Sequence, residues 1–594
     1  ALDFGRDAQA FLQEQRRRHG DVFTVHLAGK YLTFILDPLL YPSVVKQGRQ
    51  LDFHQFTDTV APPTFGYPPV RKGFPGLHEQ FIRSFQLMQG EHLGVLTESM
   101  MGHLMLVLRQ DHLCAGGGGW KSGSLFDFCS SVMFEATFLT IFGGPERGRR
   151  HEGMEDMRED FQRFDRMFPL LIAQVGGHSV MWEVIVSCDS VRVPTASSPR
   201  WEVIVSMFPL LIPQCPCSHC SSPRWEVIVS MFPLLIPQCP CSHCSSPRWE
   251  VIVSMFPLLI PQVGGHSVMW EVIVSCDSVR VPTAHPPGGR WEVIVSCDSV
   301  RVPTAHPQVP IGLLGRTRAV RSKLIDRFLP DRMSSWTGTS QMIKTRSKLL
   351  EQHASLRDTD KGAHHFAILW ASVGNTVPAC FWVLYFLLRD PEALQAVQQE
   401  VLEVLRLSGG KFSPEEDLTL SREQLDSMVL LESSISEGLR LSSASTNIRV
   451  SQEDFSLRLD EERSASVRKG DMIALYPQSM HMDPEIYQDP QSFRYDRFVQ
   501  DGRVKTDFYK SGQKLKFFLM PFGSGASMCP GRYFAVYEIK QFLSLVLLYL
   551  DLDLQPGQNR VSLDYSRVGL GILLPDADVR FHYRLRAASQ SPAE

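Results

Sequence analysis

Cysteine is scarce where a disulfide framework would need it. Of 13 cysteines in 594 residues, nine fall in one repetitive block, leaving Cys114, Cys129, Cys380 and Cys529. Four scattered thiols point to a reducing compartment. Positive charge is not in excess either. A formal net charge of -4 supplies no overall basic field, so a nucleic-acid partner is not expected. No stretch reaches the roughly 20 apolar residues that span a bilayer. The nearest, "QFLSLVLLYLDLDL" from Gln541, meets Asp551 quickly and reads as a buried amphipathic helix running into a strand. There is no Rossmann or flavin fingerprint, so the chain is not expected to carry its own electron donor. What is present is ordinary for a globular protein with a large core, at 43% hydrophobic and 21% charged residues.

Internal repeats come first in reading so long a chain. "RWEVIVSMFPLLIPQCPCSHCSSP" begins at Arg200 and again at Arg224, with a partial copy at Arg248. "WEVIVSCDSVRVPTA" occurs at Trp182, Trp270 and Trp291. Solenoid repeats keep a sparse apolar pattern while their surface positions drift. Letter-for-letter identity indicates duplication at the DNA level. "MFPLLIAQ" ends at Gln174 and "VPIGLLGRTRAVRSKLIDRFL" resumes at Val309 as if one helical region continued. We therefore divide the chain into residues 1–174, a tandem-repeat insertion at 175–308 that reads as unstructured or as a gene-model artefact, and residues 309–594. The insertion carries Cys188, Cys215, Cys217, Cys220, Cys239, Cys241, Cys244, Cys276 and Cys297. With His219 and His243, the two "CPCSHC" runs offer zinc-ligand types. Structural zinc prefers separated ligand pairs with a folded segment between them, which these crowded runs lack.

Cys529 has a different setting. In "FLMPFGSGASMCPGRYFAVYEIKQF", Gly523 and Gly525 punctuate a loop, and Ala535, Ile539, Phe542, Leu543 and Val546 fit one helix face. Pro530 suits a first helical turn. This places Cys529 at a helix N-terminus, where dipole and free N–H groups favour a thiolate. A phosphate loop would need Lys-Ser/Thr where Arg532-Tyr533 stands. A nucleophile would need a histidine, and the nearest upstream is His481. A packed structural cysteine and a metal thiolate remain open.

Companion motifs decide between them. "FGSGASMCPG" resembles the cysteine loop of the cytochrome P-450 superfamily, with Phe522, Gly525, Cys529 and Gly531 at the family's spacing. "SISEGLRLS" supplies Glu437 and Arg440, one helical turn apart on one face. "HMDPEIYQDPQSFRYDRF" resembles the segment whose arginine, here Arg497, completes a buried Glu-Arg-Arg network. "SVGNTVP" matches the family's oxygen-side helix, with Thr376 retained and Asn375 in place of an acid. Pro378 cannot donate to the Gly374 carbonyl, so this helix should kink there. His364 and His365 just upstream read as helix-face residues.

The resemblance is to the sterol hydroxylase branch, most of all to oxysterol 7α-hydroxylases, with sterol 12α-hydroxylase and prostacyclin synthase also in the branch. It implies a mainly α fold with small β-sheets, a triangular helical prism around haem, interrupted by the insertion. It implies haem b held through Cys529, cradled by Phe522, Gly525 and Gly531, with NADPH and O2 as co-substrates. Thr376 would hydrogen-bond iron-bound dioxygen or a water, and Asn375 would orient that water. Ser527 stands where the family often has a propionate-binding Arg or His, which moves that role to Arg449 in "TNIRV". The turn Gly569 to Ile572 would reach the substrate. The partners implied are NADPH–cytochrome P-450 reductase, a sterol and a membrane. The expected location is the cytosolic face of the endoplasmic reticulum membrane, with the anchor upstream of Ala1. Lys505, Lys510, Lys514, Lys516 and Arg532 are either a basic docking face for the reductase or solvated charges. The activity implied is 7α-hydroxylation of an oxysterol or 3β-hydroxysteroid. A prostacyclin-synthase-like isomerase and a non-catalytic haem-thiolate sterol binder are the alternatives.

Overall fold

A computed structural model describes residues 8–27, 30–113, 119–145, 151–175, 311–409 and 412–586, together with five six-residue strands between 200 and 295. Cys114 and the two "CPCSHC" runs lie outside the described residues. The chain divides into two compact units, residues 1–184 with 306–594, and residues 185–305.

The larger unit is mostly helical. Its helices include α1 (Leu77–Ser84), α2 (Gly90–Asp111), α3 (Leu125–Phe142), α4 (Met154–Val175), α5 (Ile311–Asp326) and α6 (Gln341–Glu351). They continue with α7 (Asp358–Val373), α8 (Thr376–Arg389), α9 (Val429–Ser442) and α10 (Arg532–Tyr549). One small sheet has the order Val22–Leu27, Lys30–Ile35, Met472–Leu475, Asn447–Ser451, Leu51–Asp52. A second joins Leu550–Leu554, Arg580–Leu585 and Lys121–Ser124. The helix-into-strand reading of the segment from Gln541 matches α10 and the strand that follows it.

Local chemistry sets the element ends. Ser124 caps α3 by accepting from the Asp127 N–H. The helix stops at Gly143, whose φ is +83°, and a Cβ there would sit 2.1 Å from the Thr337 carbonyl oxygen. Only glycine fits. Within α3 and the run Asp358–Arg389, 18-residue windows are apolar enough to cross a membrane, which the sequence reading had not assigned. They are 83% and 72% buried, so they serve here as core. Pro378 acts as expected. The helix breaks between Val373 and Thr376, and the Thr376 hydroxyl donates to the Ser372 carbonyl at 2.9 Å.

The insertion, which reads from its sequence as unstructured, holds five paired strands. Arg200–Val205, Arg224–Val229, Arg248–Val253, Met269–Val274 and Arg290–Val295 form a parallel sheet in that order. Their register is strict, Trp201 facing Trp225, then Trp249, Trp270 and Trp291. The β-branched "VIV" core of each copy favours a strand, and the long intervening segments permit the crossovers that parallel pairing requires. Along the chain the insertion falls between α4 and α5, two helices packed on each other. It therefore interrupts a helical connection and no core element.

Candidate functional site

The loop Phe518–Gly531 is held from behind by a buried ionic network. Glu437 and Arg440 lie on α9, fully buried. The Arg440 guanidinium donates to both Glu437 oxygens, at 2.7 and 2.8 Å. Arg497 Nε donates to Glu437 Oε1 at 2.8 Å. The remaining donors go to backbone carbonyls: Arg440 to His481 and Pro490, Arg497 to Gln488 and Ser492. Glu437, Arg440 and Arg497 are thus one network, with Tyr487 stacked against Arg440. His481, dismissed as a nucleophile's partner, has a structural task. Its Nε2 accepts from the Met520 N–H at 3.1 Å, so the network is one hydrogen bond from the cysteine loop. Burial holds the His481 pKa down to about 3, which keeps that nitrogen an acceptor.

Within the loop, the Cys529 N–H donates to the Phe522 carbonyl at 2.8 Å, closing the ring that Phe522 opens. Gly525 has φ +62°, and a Cβ would meet Val45 at 2.7 Å. At Gly531 a Cβ would lie 3.7 Å from Met88, so space alone does not demand that glycine. Two details differ from the sequence reading. Helix α10 starts at Arg532 with Gly531 as its cap, so Cys529 and Pro530 occupy the turn before the helix. The Cys529 thiol pKa is raised by burial; hydrogen bonding from the Gly531 and Arg532 N–H groups and the Arg532 charge oppose that rise.

Ser527 is a loop-closing residue. Its hydroxyl donates to the Ser524 carbonyl at 3.0 Å. Arg449, on the strand Asn447–Ser451, donates to the same Ser524 carbonyl at 2.9 Å and to Ile448. It is 6% exposed and has no carboxylate partner among the described residues. Burial lowers its pKa to about 10, so it is still a cation at neutral pH. A buried cation against a glycine-rich loop beside a free thiol is a donor set that fits an anionic, thiolate-ligated prosthetic group. Among the described residues no His/Cys/Asp/Glu cluster suits a bare metal ion.

On the opposite elements, Thr376 and Asn375 sit at the α7–α8 break. Asn375 makes a contact that its own helix does not reveal. Its Oδ1 accepts from the Ile572 N–H at 2.9 Å and pins the turn Gly569–Ile572. A Cβ on Gly571, at φ +128°, would lie 2.2 Å from that oxygen, so the turn needs glycine. Thr376 Oγ1 has a second partner, Glu538 Oε1 at 2.9 Å, while Thr137 donates to Glu538 Oε2 at 2.9 Å. Glu538 is 2% exposed, and burial raises its pKa to about 8. The hydrogen count agrees. Thr376 has one proton for two acceptors, so it satisfies the Ser372 carbonyl and Glu538 together only when the carboxyl carries a proton. Glu538 was not foreseen, because α10 reads as an apolar face; the signal was a lone acid amid that apolar pattern.

Glu538 should leave a measurable pH signature. Its folded pKa lies above its unfolded value, so its contribution to stability is complete below about pH 4.5 and is lost as pH rises through about 8. Glu538→Gln is expected to remove this slope, so its unfolding free energy falls less than the wild type's between pH 5 and 8. The difference approaches about 1.4 kcal/mol per pH unit in mid-range. Parallel urea-unfolding curves against pH would show Glu538 to be ionised in the folded protein.

The remaining site elements are braced or corrected. Arg567 NH1 lies 2.9 Å from Asp165 Oδ2, and Trp370 Nε1 donates to Asp165 Oδ1 at 2.8 Å. This triad, with its Arg567–Asp165 pair buried, ties α4, α7 and the segment before the Gly569–Ile572 turn together. Three of the five basic residues near the cysteine loop are engaged within the chain. Lys510 is buried and paired with Asp483 at 2.5 Å and Glu485 at 3.3 Å. Lys514 pairs with Asp507, and Arg532 donates to the Cys529 carbonyl and stacks on Tyr533.

The family model "Cytochrome P450" matches residues 312–581. Cytochrome P450 7B1 of Mus musculus is 32% identical over 99% of this chain and 88% of its own length. The 25-hydroxycholesterol 7-alpha-hydroxylase of Rattus norvegicus is 29% identical over 92% of this chain and 99% of its own. Among solved structures, the cytochrome P450DA heme domain aligns with a TM-score of 0.56 at 12% identity, covering 98% of this chain and 93% of that one. That likeness is one of fold.

Proposed function

The chain belongs to the cytochrome P450 family, and on that premise we propose that this haem-thiolate monooxygenase hydroxylates an oxysterol or 3β-hydroxysteroid at the 7α position. Cys529 would hold haem through its thiolate, Arg449 would face a propionate, and Phe522, Gly525 and Gly531 would shape the cradle. When bound, haem supplies the iron at which dioxygen is activated. The protein's own residues do the rest. The Gly569–Ile572 turn, pinned by Asn375, bounds the substrate side. Thr376, hydrogen-bonded to Glu538 at 2.9 Å, would place a buried carboxyl where oxygen chemistry consumes protons.

The Thr376–Glu538 pair is the observation that carries the reading. An isomerase needs no proton delivery, whereas hydroxylation does, and a buried carboxyl with a pKa of about 8 is protonated at neutral pH. The sterol class and the 7α position draw on the names of the relatives. NADPH and O2 would be consumed through NADPH–cytochrome P-450 reductase, at the cytosolic face of the endoplasmic reticulum membrane, in sterol and bile acid metabolism. The purified chain with reductase and a 25-hydroxylated sterol is expected to oxidise NADPH and yield a 7α-hydroxysterol. Sterol binding without any turnover would leave a haem-thiolate binder instead.

A further inference from the structure

Away from the cysteine loop, a buried cation stands without an anion. Arg346 on α6 is 5% exposed. Its guanidinium lies over Phe81 at 4.1 Å and near Phe85 at 5.4 Å. NH1 makes long contacts to the Phe81 carbonyl at 3.5 Å and the Ser84 hydroxyl at 3.3 Å, and Nε has no partner. No carboxylate lies within ion-pair distance of it among the described residues. The other polar groups around it are neutral. His364 and His365 on α7 are each 3% exposed. Burial lowers both imidazole pKa values, that of His365 to about 3. Tyr67, from the segment before α1, stacks on His364 at 4.0 Å, and burial raises its phenol pKa.

The unpartnered atoms are specific. They are Arg346 Nε, His364 Nε2 and His365 Nδ1. His365 Nε2 meets the Ser347 hydroxyl at 3.2 Å, and when it accepts that proton, Nδ1 is the N–H donor. Burying a guanidinium without a counter-charge is costly, and leaving donors unpaired beside it adds to the cost. Burial takes the Arg346 pKa to about 10, so it stays charged at neutral pH. A carboxylate or sulfate would supply the missing charge and acceptor oxygens together. His364 precedes Thr376 by about three helical turns of chain, roughly 18 Å of rise, a span comparable to the length of a sterol.

We propose that Arg346, His364, His365 and Tyr67 form a buried anion subsite that takes an oxyanion, carboxylate or sulfate, at the end of the ligand remote from the oxidised carbon. This rests on the sterol hydroxylase reading. The subsite selects ligands by charge, independently of the chemistry at Thr376.

Calorimetric titration of the haem-loaded chain tests it with a 3β-hydroxysterol bearing a side-chain carboxylate and with its methyl ester. Inorganic sulfate serves as competitor. The acid is expected to bind at least about tenfold more tightly than the ester, with sulfate weakening only the acid. In Arg346→Met the acid-to-ester ratio should fall to about one, and in His364→Gln it should fall part of the way, so the test survives if the first variant misfolds. Equal affinities in the wild type, or a ratio kept in Arg346→Met, would overturn the subsite and leave the sterol reading standing. If neither sterol binds but sulfate raises the melting temperature of the wild type and not of Arg346→Met, the anion site holds and the sterol reading fails. Absence of any sterol or sulfate effect overturns both.

Discussion

Glu437→Gln is expected to destabilise the protein by about 3–5 kcal/mol, because it leaves two buried guanidinium groups without their counter-charge. The change is nearly isosteric, so the loss is electrostatic and not a cavity effect. Arg440 and Arg497 would keep their backbone acceptors, at His481, Pro490, Gln488 and Ser492. Neither could leave for water, since Arg440 is fully buried and Arg497 is 8% exposed. The damage should spread to the cysteine loop through His481 and Met520, so haem retention should fall along with stability. An exposed pair of the same type, Arg406 with Glu403, is the control and should show no measurable change when broken. The shift in urea midpoint, with haem content measured on the same samples, checks this. A Glu437→Gln midpoint equal to wild type would mean that the network does not hold the site.

Cys529→Ser is expected to leave the fold intact and abolish both the thiolate-haem absorption of the reduced CO complex and sterol hydroxylation. The backbone around residue 529 is fixed by its N–H to Phe522 and its carbonyl to Arg532, and neither contact uses sulfur. Serine therefore changes the ligand atom and little else. A thiol gives up its proton to a metal far more readily than a hydroxyl, and thiolate donation is what favours O–O cleavage in this class of haem protein. The unfolding free energy should stay within about 0.5 kcal/mol of wild type, the range of ordinary substitutions away from special contacts. An unchanged spectrum would remove Cys529 as the ligand.

The legible parts of this site are those built from short sequence spacings. Glu437 and Arg440 are three residues apart on one helix, and the cysteine loop is contiguous, so each declares itself locally. Arg497 was legible through its segment. The parts that were not legible depend on contacts between distant residues. The contact of Asn375 to Ile572 was hidden, because that partner lies nearly two hundred positions on. Lys510 looked free because its acids, Asp483 and Glu485, precede it by a whole loop. Glu538 was lost in an apolar helix, although a lone acid at a core position is the pattern that marks a buried titratable group. Ser527 resolved in the other direction: the missing cation is not replaced at its own position, and Ser527 and Arg449 converge on one carbonyl, that of Ser524. The repeats were legible as duplication, but their parallel pairing was not, because pairing depends on identical strands meeting in register.

Turnover under oxygen-18 gas is the most direct measurement of the central claim. With reductase, NADPH and a 25-hydroxylated sterol, the product should carry one labelled oxygen, located at C7 on the α face, and should not form without NADPH. A product isomeric with its substrate, or an unlabelled hydroxyl, would contradict it.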